Sequence, residues 1–333
     1  MTGDRTLKWE TGQVTMQKRG AMLRDLCVNL PDGQIVRPLH TAPWVGKDNV
    51  SELDGLMQGL SGEWPCVPFG ARHDNLPPSW PRSLGWEDTF AHGYAAHHDW
   101  EISASAGSLD ARIEMPADHP VHSLRRRVQP GTNGIVLDLW ILPRRDCRLP
   151  VGLHPVFALP DDPLRMRVEV SGATKVIAHP ETPPPDPTPA LPGAVSESLD
   201  VVSDTTGGVV DFSRLPHSGQ NETRLMVLGG TGRVTITDQL TGIASKLCYD
   251  AARFPFVMLW ISNRGRAAEP WSSQHLALGV EPVRAAFDLG TCVSADDNPV
   301  SRLGEATAFD FAANREFHTT YTISVHEPST ASR

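Results

Sequence analysis

Four short polar stretches carry the side chains best suited to proton transfer and to hydrogen bonding a polar ligand. In chain order they are Gly62-Glu63-Trp64-Pro65-Cys66-Val67-Pro68-Phe69-Gly70-Ala71-Arg72, Ala91-His92-Gly93-Tyr94, Gly152-Leu153-His154-Pro155-Val156-Phe157 and Leu278-Gly279-Val280-Glu281-Pro282-Val283. Each sets a histidine, glutamate or arginine beside Gly or Pro, which fix the local backbone. Taken singly they are ordinary: His92 or His154 as a hydrogen-bonded core histidine, Arg72 as the partner of a surface acid, Glu281 as a strand-end residue before a turn. Taken together they resemble a site assembled from distant strands. Histidine titrates nearest neutrality and glutamate is ionised at pH 7, so the two suit a reaction in which one proton is given while another is taken.

The elements that must position these residues are strands. Leu164, Met166, Val168 and Val170 alternate with Arg165, Arg167 and Glu169; Ala111, Ile113 and Met115 with Arg112 and Glu114; Tyr321, Ile323 and Val325 with Thr322 and Ser324. A period of two marks strands with one buried face, and such faces need a second layer. The run from Ile135 to Leu142 is apolar except for Asp138, which predicts a central strand covered on both sides. Helical spacing is confined to Val50, Leu53, Leu56, Met57 and Leu60, with Asp48 and Asn49 as candidate caps. With 28 glycines and 29 prolines the chain turns often. Strands alternating with long helices, as a Rossmann fold requires, are absent. The pattern predicts an all-β protein, residues 1–333 forming one domain. The stretch 179–193, with seven prolines, reads as a stiff surface loop inserted between strands of the same kind.

Composition narrows the partners. The formal net charge is −9, and no basic block is long enough to neutralise a run of phosphates, so nucleic acid is not expected. Arg125, Arg126 and Arg127 read as a solvated strand face. Five scattered cysteines, Cys27, Cys66, Cys147, Cys248 and Cys292, form no CxxC pair, which argues against a disulfide framework and a zinc knuckle. Met1 to Gly20 lacks the apolar core of a signal peptide, and no stretch approaches the roughly 20 apolar residues that span a bilayer. A reducing, cytoplasmic location without membrane contact is expected; no oligomeric state follows from the sequence.

In order and content the four stretches resemble the aldose 1-epimerase (galactose mutarotase-like) superfamily. Gly152-Leu153-His154-Pro155-Val156-Phe157 is similar to its G-x-H-P-x-F segment, and Val280-Glu281-Pro282 to its late E-P segment. Pro68-Phe69-Gly70-Ala71-Arg72 and His92-Gly93-Tyr94, with Trp100 following, resemble its first two sugar-contacting segments. The resemblance implies a large twisted antiparallel β-sandwich with few short helices. It also implies interconversion of the α and β anomers of a free aldose, with Glu281 as base, His154 as acid, and Arg72 and His92 holding hydroxyls or polarising the ring oxygen. An acid protonates the ring oxygen, a base takes the C1 hydroxyl proton, the ring opens, and reclosure gives the other anomer. No metal or redox cofactor is needed. The two groups are expected in one pocket, several ångströms apart, on opposite sides of a pyranose-sized space.

For the sugar itself, a tryptophan such as Trp64, Trp86 or Trp260 could stack on one face, with core packing the plainer reading. Asp250 and Asp238 are the alternatives for a further substrate-binding aspartate. The segment Gly62 to Trp100 is also similar to the hexose-6-phosphate epimerase branch, whose H-G-F-A-R reads here His92-Gly93-Tyr94-Ala95-Ala96. Ala96 replaces an arginine, removing a bidentate phosphate contact, so a neutral sugar is expected unless His97, His98 or Arg72 compensates. A carbohydrate-binding protein without turnover is the rival reading from a different class.

Overall fold

Alternation in the sequence becomes alternation between buried and exposed faces. In the computed structural model, which describes residues 3–80, 82–181 and 186–328, Ala111 and Ile113 are buried on the strand Ser108–Glu114, Val168 and Val170 on Met166–Val170, and Tyr321, Ile323 and Val325 on Phe317–His326. Leu164 stays outside its strand because a φ of 60° turns the chain before Met166. All strand pairings within the named strands are antiparallel, and the three α-helices among the described residues have four residues each. The fold is therefore all-β.

Two large sheets face each other. The nine-stranded sheet runs from Arg214–Leu215 at one edge to Glu101–Ser105 at the other, with Gly134–Pro143 and Phe317–His326 in its interior. The eight-stranded sheet has the order Val195–Ser196, Lys175–Ala178, Asn221–Leu228, Phe256–Asn263, Leu276–Arg284, Val151–Leu153, Pro65–Cys66, and Val156–Ala158 also pairs with Leu276–Arg284. Leu225, Val257, Leu259, Ile261, Leu278 and Val280 of this sheet share one buried cluster with Leu124, Leu137, Leu139, Ile141, Ile323 and Val325 of the other. Burying such a side chain contributes about 1.5–3 kcal/mol, against about 0–1 kcal/mol for a surface ion pair, so this core holds the sheets together.

The eight-stranded sheet is covered on its other face as well. There Met226, Phe256, Met258, Trp260 and Val283 pack with Trp44, Leu56, Leu60, Trp64, Phe69 and Phe287 in a second cluster. Every residue of Phe256–Asn263 is buried, the signature of a strand sandwiched between two layers. The strand Gly134–Pro143 is interior to its sheet but not covered twice. Ile135, Leu137, Leu139 and Ile141 are buried while Val136, Asp138, Trp140 and Leu142 are half-buried, because that sheet's outer face meets solvent. Trp140 is partly shielded there by Arg125, 4.9 Å above its ring, and by a stacked His318.

Two further expectations are corrected. The helical stripe is split into a 3-10 turn, Val50–Glu52, and a one-turn helix, Gly55–Gln58. Its cap is Asp54, which accepts from the Gly55 N–H, because Leu53 is extended and ends the first turn. Among the three arginines, Arg125 and Arg127 are exposed, but Arg126 points inward, ion-paired with buried Glu63 and donating to the Ala21 carbonyl at 2.8 Å. The Tyr321 hydroxyl donates to the same carboxylate. The proline-rich stretch leaves Lys175–Ala178 and returns as its antiparallel neighbour Val195–Ser196, so it connects two strands of one sheet; its residues 182–185 lie outside the described ones. The five cysteines are free thiols, and among the described residues no helix is long and apolar enough to cross a membrane.

Candidate active site

Register on the second face of the eight-stranded sheet gathers the chemistry. Glu281 lies opposite Met258, Gly279 opposite Trp260, and Trp260 in turn opposite Arg224. Strand alternation then sends Arg224, Met258, Trp260 and Glu281 to one side, away from the main core. His154 sits between Val151–Leu153 and Val156–Ala158, two short strands that both pair with the strand carrying Glu281. Its N–H donates to the Trp64 carbonyl at 3.0 Å, and the Trp64 indole stacks on its ring at 4.0 Å and 18°. His92 has a φ of 62° and Gly93 of 88°. A Cβ on Gly93 would stand 2.4 Å from the Val67 carbonyl oxygen, so glycine permits the turn that brings His92 edge-on to His154, 5.0 Å between rings.

These residues line a cavity of about 210 Å³ together with Leu56, Met57, Leu60, Trp64, Arg266, Trp271 and Asp288. At about 30 Å³ per water that is room on the scale of a single sugar ring. His154 Nε2 lies 3.4 Å from Glu281 Oε1. Neither Glu281 oxygen nor His154 Nδ1 has a hydrogen-bond partner within the protein. Leaving such groups unpaired costs about 1–3 kcal/mol each, so a ligand rich in hydroxyls would find donors and acceptors waiting. The two groups are neighbours rather than opposed across a ring. That suits the reaction better than the expected separation, because the ring oxygen and the anomeric hydroxyl are bonded to the same carbon.

Burial decides the protonation of the pair. It pushes the Glu281 carboxyl well above the ordinary range, helped by the Asp288 charge and opposed by Arg224. Burial likewise holds His154 well below its usual value, with His92 adding to the effect, and brings His92 down to about 4. Both members of the pair are thus driven toward their neutral forms, one proton resting on the carboxyl. For Asp288 burial also opposes ionisation, but the Arg224 charge and a hydrogen bond from His179 outweigh it and keep the carboxyl well below the usual range. Arg224 Nη1 is 2.7 Å from Asp288 Oδ2, and Arg266 is 3.0 Å from Glu222 and 3.4 Å from Asp186. Both arginines lining the cavity are therefore matched by carboxylates.

The sequence-selected residues divide cleanly. His154, Glu281, His92 and Trp260 come together; Arg72 and Asp250 do not. The Ala71 N–H binds the Asp288 carbonyl at 2.9 Å, fixing the backbone there, and Arg72 turns out to solvent, where it pairs with Asp74 at 2.9 Å. Asp250 caps its own turn by accepting from the Ala252 N–H and pairs with Arg253 at 3.1 Å. Asp238 is held bidentately by Arg165. Trp86 packs edge-on against His119 instead. Asp288, Arg224 and Arg266 take their places at the cavity. The signal for Arg224 was present in Asn221–Leu228: Glu222 and Arg224 share a face with Met226 on a strand buried almost throughout.

Gly279 provides a direct test of the geometry. A Cβ there would stand 2.4 Å from Glu281 Oε1 and 3.0 Å from the Trp260 Cβ. Gly279→Ala is expected to displace the carboxylate and cut any turnover by about 10²-fold, as a misplacement of about 1 Å can, with an unchanged circular dichroism spectrum.

No family model and no curated protein sequence matches the chain. Solved structures do. A Synechocystis protein superposes with a TM-score of 0.67 at 15% identity, covering 98% of this chain and 96% of its own. An Escherichia coli protein provisionally described as an aldose 1-epimerase gives 0.66 at 16%, covering 98% and 100%. An aldose epimerase homologue from C. elegans gives 0.62 at 13%, covering 98% and 99%. The chain has the galactose mutarotase-like fold, in which the expected large antiparallel sandwich is realised over nearly its full length.

Proposed function

We propose that this protein is an aldose 1-epimerase-like isomerase that interconverts the anomers of a neutral monosaccharide. The observation that carries the reading is the buried His154–Glu281 pair, 3.4 Å apart at a cavity of monosaccharide size, with three polar atoms unpartnered. Ring opening needs one proton delivered to the ring oxygen and one removed from the C1 hydroxyl, and a pair holding a single proton can do both. With the ring oxygen at Glu281 and the hydroxyl at His154, the resting proton is used directly. In the opposite placement, with Glu281 as base and His154 as acid, the proton first crosses the contact between them. Either way the pair holds one proton after opening as before it, and reclosure reverses the two transfers, so no net proton is consumed. Trp64 and Trp260 offer flat apolar walls for a sugar face, and Asp288 with Arg224 offers an acceptor and donors for hydroxyls.

Neutrality of the substrate is supported by charge. Both cavity arginines already face carboxylates. Ala96 is fully buried in the second apolar cluster, His97 binds the Leu56 N–H and the Ala91 carbonyl, and His98 stacks on Tyr94. Among the described residues lining the cavity no unmatched cation is left for a phosphate.

Polarimetry of freshly dissolved α-glucose, α-galactose and a panel of other aldoses tests the proposal, with mutarotation faster than in buffer expected for at least one. Sugar binding without any such acceleration would instead identify a binding protein. The pH dependence follows from the shifts. Because Glu281 is raised and His154 lowered, the one-proton form of the pair spans a wide window. The kcat/KM profile is expected to be flat through neutrality, its acid limb lying below the ordinary imidazole value of about 6.5. An acid limb centred at or above that value would contradict a neutral pair with its proton resting on Glu281.

A further inference from the structure

Three side chains that the epimerase chemistry does not use bring donor atoms together beside Asp288. The ligating atoms of His73, His179 and Glu181 all lie within 4.8 Å of one another, and their side chains are only 16%, 9% and 7% exposed. His73 Nδ1 is 3.0 Å from Glu181 Oε2. The His179 tautomer follows from its neighbours: the Glu181 N–H points at Nδ1 from 3.4 Å, so that nitrogen carries a lone pair, while Nε2–H donates to Asp288 Oδ1 at 3.0 Å. His73 Nε2 lies 3.9 Å from the other oxygen of the same carboxylate. Both imidazoles therefore turn one nitrogen toward Asp288 and the other toward Glu181. A carboxylate behind the far nitrogen of each ligand is the usual support of a histidine-bound metal.

We propose that His73 Nδ1, His179 Nδ1 and the Glu181 carboxylate form a binding site for a divalent cation of the zinc type, with a fourth position left to water. Two imidazoles and one carboxylate favour zinc over magnesium or calcium, which take oxygen ligands. Zinc holds such ligands at about 2.0–2.2 Å, so the donors need to draw together only slightly around it. The local charge agrees. Glu181 and Asp288 share the single guanidinium of Arg224, which lies 2.7 Å from Asp288 and 3.8 Å from Glu181. One negative charge is left over, and Glu181, the more loosely held carboxylate, is free to ligate. On binding, the His73 ring proton moves from Nδ1 to Nε2, which faces Asp288 at 3.9 Å, so the neutral ring ligates without losing its proton. The metal takes no part in ring opening. It clamps the start of the proline-rich stretch to the 70–74 loop and steadies Asp288 at the cavity wall.

The test needs no sugar. The full chain, stripped with a chelator, is titrated with Zn²⁺ by calorimetry and with Co²⁺ by visible absorption. One site per chain is expected, with the intense Co²⁺ bands of four-coordinate geometry and a higher Tm on loading. His73→Ala and Glu181→Gln are each expected to weaken binding at least tenfold, while His318→Ala, on the outer sheet face, leaves it unchanged. Should alanine at 73 disturb folding, Glu181→Gln preserves the shape and gives the same reading. Absence of stoichiometric binding to the wild-type chain, or stoichiometric binding that survives in Glu181→Gln, overturns the proposal.

Discussion

Glu281→Gln is expected to lower anomer exchange by about 10²–10⁴-fold, the usual contribution of a positioned acid or base, and at the same time to make the protein harder to unfold. Glu281 is completely buried with both oxygens unpartnered, and its carboxyl is raised well above the ordinary range. The folded chain therefore holds this proton more tightly than the unfolded chain does. That stability is fully present below the unfolded value of about 4.3 and is lost as pH rises through the folded one, where the unfolded chain ionises freely and the folded chain must bury a charge. Glutamine cannot ionise, so its advantage grows with pH, reaching about 1–3 kcal/mol where the wild-type carboxyl is ionised. Denaturant unfolding at pH 5 and pH 8 reads it: a gap that widens toward pH 8 is expected. A variant equally destabilised at both would contradict the burial argument.

Arg126→Met is expected to cost about 3–5 kcal/mol, the typical penalty for stranding one member of a buried ion pair. Among the described residues Glu63 would keep the Tyr321 hydroxyl as its side-chain partner inside the sandwich. The double variant Arg126→Met with Glu63→Gln is expected to recover most of the loss, since it removes both charges. Chemical denaturation of the two single variants and the double variant measures the coupling. The damage reaches the site as well. Glu63 precedes Trp64, whose ring stacks on His154 and whose carbonyl holds the His154 N–H, so turnover is expected to fall along with stability in the single variants.

The sequence made the strands legible because their faces differ. Tyr321, Ile323 and Val325, or Ala111 and Ile113, are apolar for one reason only: a single core lies on one side of them. The same logic misread Ile135 to Leu142, where Val136, Trp140 and Leu142 are apolar yet face the outer side of the sheet. It also misread Arg126, since a charged residue at an inward position is visible only once its partner, 63 positions away, is in place. At the candidate site, His154, Glu281 and His92 stood out because Gly or Pro fixes the backbone beside each. Asp288 did not. It follows Phe287, whose φ is 53°, and its meaning lies in contacts with Arg224 and His179 that no local pattern encodes. Arg72 failed for the complementary reason: its motif serves the fold through the backbone of Gly70 and Ala71, packed against Asp288, rather than through the guanidinium.

In the proposed reaction the single proton carried by the His154–Glu281 pair opens and closes a sugar ring. Exchange NMR at anomeric equilibrium reads it most directly, by transfer of magnetisation between the α and β C1 protons of each sugar in a panel. Wild-type protein is predicted to give exchange well above buffer for at least one sugar, and Glu281→Gln to bring it back to the buffer rate while the sugar still binds. Exchange at the buffer rate with wild-type protein for every sugar, or undiminished exchange in Glu281→Gln, would contradict it.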